Sequence, residues 1–156
     1  MRFAGVISLV LVLTLALAAC GDDPGETPTG VYSETVHFTR AGHDVTLNVE
    51  IADSAEERAT GLMNRESVPE DAGMLFLWPE DTESGFWMKD TTVPLTVAFI
   101  SATGSVVHFE ALEPLDQELR HAPEQFRYAV EANRGWFEDN DVEVGDLLQL
   151  PVGVGS

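Results

Sequence analysis

The residues best able to bind a ligand lie in one short stretch, from Phe86 to Asp90. Lys89 is the only lysine of the chain; it follows Phe86-Trp87-Met88 and directly precedes Asp90. A tryptophan face can stack on a ring or hold a cation, and a lysine beside it can attract an anion. The stretch therefore predicts part of a recessed site for a small anionic or sugar-like ligand.

Three arginines have similar surroundings. Arg58 and Arg65 flank Gly61-Leu62-Met63, and Arg134 precedes Gly135-Trp136. Two interpretations remain open. The cations can line a ligand site, or they can form internal ion pairs with Glu66, Asp90 or Glu131, because the planar guanidinium suits a buried carboxylate. Under the first interpretation the ligand-binding residues are Arg58, Arg65, Trp87, Lys89, Asp90 and Glu131.

Familiar catalytic and metal-binding motifs are missing from the sequence. The four histidines lack the i,i+4 spacing of a helical zinc site, and no cysteine pair accompanies them. There is no Gly-x-Ser-x-Gly elbow and no phosphate loop between a strand and a helix. Met63, Met74 and Met88 could supply thioether ligands for Cu(I), but they lack the close spacing of a Cu(I)-binding motif. Methionine also commonly fills gaps in cores. We predict no metal and no cofactor, and we assign no catalytic residue.

The first 19 residues are typical of a signal peptide. Arg2 precedes an apolar run from Phe3 to Leu17, which is shorter than the about 20 residues of a membrane-spanning helix. Leu17-Ala18-Ala19-Cys20 then resembles a lipobox, and Cys20 is the only cysteine of the chain. The alternative is a plain secretory signal cleaved after Ala19. We predict that Cys20 carries a lipid that anchors an exported protein on the extracytoplasmic face of a cell membrane or envelope.

The remaining chain divides into a tether and one domain. Residues 20–30 are rich in Gly, Pro and acid, which favours a flexible tether. Residues 31–156 have the length of a single domain without any internal disulfide. Without Arg2, the seven remaining cations face 27 acidic residues, a net charge of −20. Such a charge excludes a nucleic-acid partner and a basic lipid-binding patch.

The sequence of the domain predicts mostly short strands. Residues 45–51 alternate between apolar and polar types, as in a half-buried strand. Further strands are predicted at 31–39, 74–78, 86–88, 95–100, 106–112, 126–133 and 146–152. Ser54-Ala55-Glu56-Glu57 matches a capping box, which predicts a helix from there to about Met63, and residues 136–140 favour a helical turn. Some eight strands with turn signals indicate an all-β sandwich or barrel.

Five motifs in order resemble the DUF192 family, also called UPF0127. They are Arg58-x-x-Gly61-Leu62-Met63-x-Arg65, Gly73-Met74-Leu75-Phe76, Phe86-Trp87-Met88-Lys89 with Pro94-Leu95, Glu131-x-Asn133-x-Gly135-Trp136, and Gly145-Asp146. The resemblance covers roughly residues 33–151. It implies a compact jelly-roll-like β-sandwich with a few short helices, in a family that has no established biochemical function and whose members are often exported or lipid-anchored. Asp90 stands where the family usually has Asn, Thr96 where it usually has Asp, and Arg134 where it usually has a small residue.

Taken together, these patterns predict a lipid-anchored binding or accessory module. An alternative is an envelope hydrolase or transferase that acts on glycan, with Asp90 and Glu131 as an acid/base pair. That chemistry requires the two carboxyl groups to be about 5–10 Å apart.

Overall fold

The computed structural model describes residues 31–155. Its elements, in chain order, are β1 (Glu34–Arg40), β2 (His43–Ala52), α1 (Ala55–Thr60), β3 (Ala72–Thr82), β4 (Leu95–Ile100), β5 (Val106–Leu112), β6 (Phe126–Asn133), α2 (Trp136–Asp139) and β7 (Leu147–Gln149). Neither helix is long and apolar enough to cross a membrane. The predicted signal peptide, Cys20 and the tether lie outside the described residues.

The seven strands form one sheet in the order β5-β4-β6-β3-β2-β1-β7. Only β2 and β3 run parallel; every other neighbouring pair is antiparallel. The sheet curls into a half-barrel that brings its two edges together: the Leu148 amide of the edge strand β7 donates to the carbonyl of Gly104, just before the other edge strand β5, at 2.7 Å. The mostly β prediction is confirmed. The expected division into two packed sheets is not confirmed, because all seven strands of the described residues belong to the same sheet.

Strand β3 differs most from its predicted bounds. Pro79 was expected to end it, but the strand continues to Thr82. Its pairing with β6 shifts register between Leu77 and Thr82, and an irregular stretch tolerates a residue that has no N–H to donate. The first part of β3 is buried on both faces because it lies between β2 and β6. The predicted strand at 86–88 is reduced to one bridge, between Phe86 and Arg120.

Both faces of the sheet carry a core. On the Phe38 face, Phe38, Leu75 and Val130 pack with Trp136 and Phe137 of α2. The opposite face, called here the Phe76 face, carries a second cluster that includes Phe76, Met88, Phe99 and Phe126. Loop residues from 62–68 and 86–93 cover this second cluster. Side chains of a strand point alternately to its two faces, so alternation decides which side chains reach which core.

Helix α1 begins as its sequence predicts and ends earlier. Ser54 accepts a hydrogen bond from the Glu57 amide while the Glu57 carboxylate accepts one from the Ser54 amide, which completes the capping box. The helix ends at Thr60, because Gly61 has a φ of +49°, a conformation that favours glycine. This early end turns residues 61–63 over the Phe76 face.

Candidate functional site

A cavity of about 390 Å³ lies on the Phe76 face of the sheet. Four aromatic side chains contribute to its walls: Phe76, Trp78, Phe86 and Trp87. Helix α1, residues 60–63 and Leu119 also line the cavity. A concave, mostly apolar pocket with a few polar groups is the usual form of a small-molecule site.

Glu131 is the one acidic residue that lines this cavity. Alternation along β6 sends Ala129 to the Phe76 face and Val130 to the Phe38 face, so Glu131 points to the Phe76 face. Its neighbours across the sheet are Met74 of β3 and Val97 of β4. The residue is only 5% exposed, in the middle of the sheet, although it carries a carboxyl group.

Gly61 brings backbone close to this carboxyl group. A Cβ atom at Gly61 would lie 3.9 Å from Glu131 Oε2 and 3.5 Å from Phe76 Cζ. Such a side chain would touch the cavity floor, and the positive φ of Gly61 already disfavours one. The positive φ of Gly61, more than any lack of space, therefore explains the glycine of this motif.

Burial raises the pKa of Glu131 to about 8, and the charge of Arg65 opposes this rise only in part. Within residues 31–155 no group donates a hydrogen bond to the Glu131 carboxyl. At neutral pH the carboxyl is therefore mainly protonated. Within the described residues no side-chain oxygen is both fully enclosed and without a hydrogen bond, so the Glu131 oxygens still reach the cavity, where a ligand can form a hydrogen bond with them.

Arg65 does not line the cavity but lies in a neighbouring groove. Its guanidinium binds the Glu50 carboxylate with both nitrogens, and the Nη2–Oε2 distance is 2.8 Å. The Tyr32 hydroxyl also accepts a hydrogen bond from it. Glu50 is paired with Met74 across the sheet, and Met74 with Glu131, so the two carboxyl groups belong to one row. The ion-pair partner of Arg65 is thus Glu50, which the sequence did not suggest.

Arg58 lines the cavity and also fastens α1 to the sheet. Its Nη1 donates to the Asp53 carbonyl and to the Leu77 carbonyl, the latter at 2.8 Å. The guanidinium carbon lies 5.3 Å from the centre of the Trp78 ring, within the range of a cation–π contact. Arg58 therefore combines a structural role with a place on the cavity wall.

Trp87 lines the cavity and is 41% exposed. Its neighbours Phe86 and Met88 are only 7% and 1% exposed, so Trp87 is the accessible side chain of these three. Lys89 Nζ lies 5.7 Å from the centre of the Trp87 ring. Lys89 is exposed and does not itself line the cavity.

Asp90 lies outside the cavity. It is exposed, has a φ of +52°, and belongs to a turn in which the Thr91 amide donates to the Met88 carbonyl. This conformation is one that Asn and Asp adopt more easily than other residues with a side chain. Thr96 borders a different cavity together with Phe109 and Arg134. Asp90 therefore does not take the place of an acid at position 96.

Of the six residues predicted to bind ligand, the structure places Arg58, Trp87 and Glu131 around one cavity. Lys89 contacts Trp87 at the rim of the cavity. Arg65 lies in the neighbouring groove, and Asp90 lies outside the cavity. Sequence reasoning missed Trp78, although its spacing of two from Phe76 in a strand predicts the same face. Among the described residues no three His, Cys, Asp or Glu side chains are gathered to hold a metal ion.

A family model described as "DUF192: Uncharacterized ACR" matches residues 36–150. A solved structure from Sinorhizobium meliloti 1021, described as a "putative transcription regulator", is 33% identical with a TM-score of 0.72, and the match covers 75% of this chain and 92% of that one. A protein of unknown function from Novosphingobium aromaticivorans DSM 12444 has the same TM-score at 24% identity, with coverage of 80% and 94%, and shows the fold alone. No curated protein matches this chain.

Proposed function

The chain belongs to the DUF192 family, and we propose that it is an exported, lipid-anchored binding module whose cavity takes a small sugar-like ligand. The observation that carries this proposal is the Glu131 carboxyl, which is buried at the floor of an aromatic-walled cavity. Structural carboxyl groups at such depth normally have a partner. A ligand that hydrogen-bonds to Glu131 would fill that role.

The chemistry of the walls favours a sugar-like ligand over an anionic one. Trp78 and Trp87 offer flat apolar faces on which the apolar face of a sugar ring can stack. A hydroxyl group of the sugar can accept a hydrogen bond from the protonated Glu131 carboxyl or donate one to its carbonyl oxygen. An anion would instead meet a carboxyl group, while the Arg58 and Arg65 guanidinium groups are already bound to protein oxygens.

The geometry does not favour the alternative of a glycan hydrolase or transferase. That mechanism needs Asp90 and Glu131 on either side of one substrate, whereas Asp90 is exposed on a turn and does not line the cavity of Glu131. Glu131 by itself supplies a protonated acid, which supports binding without a second carboxylate.

The proposal is tested by titrating the purified protein with glucose, N-acetylglucosamine and their disaccharides while heat and tryptophan fluorescence are recorded. We expect saturable binding of at least one sugar and a loss of at least about tenfold in affinity for Trp87→Ala, the cost of removing an aromatic contact. Leu147→Ala is the matched control, because Leu147 is similarly exposed (50%) but lies on β7, away from the cavity. Equal losses in both variants, or no binding by the wild-type protein, would refute the proposal.

A further inference from the structure

The row of Glu50, Met74 and Glu131 lacks one positive charge. It contains two carboxyl groups, and one guanidinium, that of Arg65, lies against it. Arg65 is committed to Glu50 through two hydrogen bonds. Glu131 is therefore the carboxyl that stays without a counterion, and a second cation beside it would allow it to ionise.

The walls around Glu131 suit a cation. The face of an aromatic ring carries partial negative charge, and a group of rings around a carboxylate is a favourable place for an ammonium ion. Two rings of this cavity already contact protein cations, Arg58 on Trp78 and Lys89 on Trp87, so within the described residues Phe76 and Phe86 are the wall rings that remain for a ligand cation. The excess of acidic residues in the chain also attracts cations to its surface.

We propose that the ligand of this cavity carries a protonated or quaternary amine that forms an ion pair with Glu131 inside the aromatic walls. This inference rests on the proposed function and narrows the ligand to a small molecule with a cationic amine, of which an amino sugar is the sugar-like case. No covalent step is involved: the Glu131 carboxyl group loses its proton to solvent when the cation binds.

Other charged groups near Glu131 also influence the loss of its proton when a cation binds. Arg65 is the one whose charge acts on the Glu131 carboxyl, and Glu50 neutralises it. Arg58 lies on the α1 wall with its guanidinium bound to two carbonyl oxygens. Glu110 of β5 lies opposite Val97, two strands away from Glu131, and its carboxylate is 3.4 Å from His108 Nε2. Lys89, Asp90 and His121 lie on the covering loops and are exposed.

The test compares choline, whose charge does not change with pH, with its neutral isostere 3,3-dimethylbutan-1-ol. At pH 9 we expect choline to bind at least about tenfold more tightly than the neutral isostere. This is the lower end of the gain in affinity expected from a desolvated cation–π contact combined with an ion pair. The affinity for choline should rise about tenfold from pH 7 to pH 9, because the pKa of Glu131 is about 8 in the empty cavity. The affinity for the isostere should not rise.

The matched variants are Glu131→Gln and Glu110→Gln. Glu131→Gln should remove both the preference for choline and its pH dependence, whereas Glu110→Gln should keep both. Equal affinity for the two probes, preference for the neutral one, or no binding of either overturns the inference.

Glucose, glucosamine and N-acetylglucosamine separate this inference from the proposed function. Tighter binding of glucosamine supports both. If glucose or N-acetylglucosamine binds and glucosamine has no advantage, the amine inference fails and the binding module stands. If no sugar binds, the sugar-like ligand fails, and the choline comparison alone decides the amine inference.

Discussion

Replacing Glu131 with Gln should make the protein more stable at alkaline pH. The carboxyl of Glu131 is buried, and its pKa rises from the ordinary value of 4.5 to about 8 because burial disfavours the charged form. A folded-state pKa above the unfolded-state value means that this group's contribution to stability is complete below about pH 4.5. That contribution is lost as the pH rises to about 8.

The size of the effect follows from the two pKa values. Each pH unit between them corresponds to about 1.4 kcal/mol, so the full difference is about 5 kcal/mol, and we expect about 3–5 kcal/mol once the structure relaxes around the ionised group. The amide of Gln does not ionise, so the variant lacks this loss. The difference in free energy of unfolding, variant minus wild type, should therefore increase by about 3–5 kcal/mol from pH 4.5 to pH 8.5.

Urea unfolding followed by far-ultraviolet circular dichroism at half-unit pH steps measures this difference. The contributions of all other acidic groups cancel between the two proteins. Glu66→Gln serves as the control, because it removes one acidic charge from an exposed position. Parallel stability curves for wild type and Glu131→Gln would show that the carboxyl is not buried as described, and would refute the reasoning about the site.

Four further substitutions test the lipid anchor, the exposed residues at the cavity and the packing of β3 against β6. Cys20→Ser should move the protein from the membrane fraction to the soluble fraction; a variant that stays with the membrane contradicts the lipid anchor. Trp87→Ala should lower the free energy of unfolding by well under the about 3–5 kcal/mol of a buried aromatic residue, since Trp87 is 41% exposed; a full loss in urea unfolding would make it a core residue. Lys89→Met should change the melting temperature little, because Lys89 is exposed and contacts only the Trp87 ring among described groups; a loss of several degrees would indicate a buried ion pair. Gly73→Ala should unfold the domain or cost several kcal/mol, because a Cβ there would lie 2.1 Å from the Glu131 carbonyl oxygen; wild-type stability would show that the contact between β3 and β6 is wrong.

Local patterns predicted several elements well. The bounds of β4, β5 and β6 agree with the apolar runs at 95–100, 106–112 and 126–133. The capping box predicted the start of α1, where Ser54 caps the helix. These features depend on residues within about four positions of each other, so the sequence contains the physical cause in full.

Other features depended on contacts between distant parts of the chain. Arg65 could form an ion pair with any of several acids. Its partner is Glu50, which the parallel pairing of β2 with β3 places opposite Met74. The sequence offered Glu131 and Asp90 alike as ligand-binding residues or as an acid/base pair, but the position of β6 in the middle of the sheet buried Glu131 while a turn exposed Asp90. The sequence by itself determined the strands, the helix start and the family motifs. The tertiary structure decided that one curled sheet forms and that Glu131 meets Trp78 and Trp87 in a cavity, because strand order and loop packing join residues about 50 positions apart.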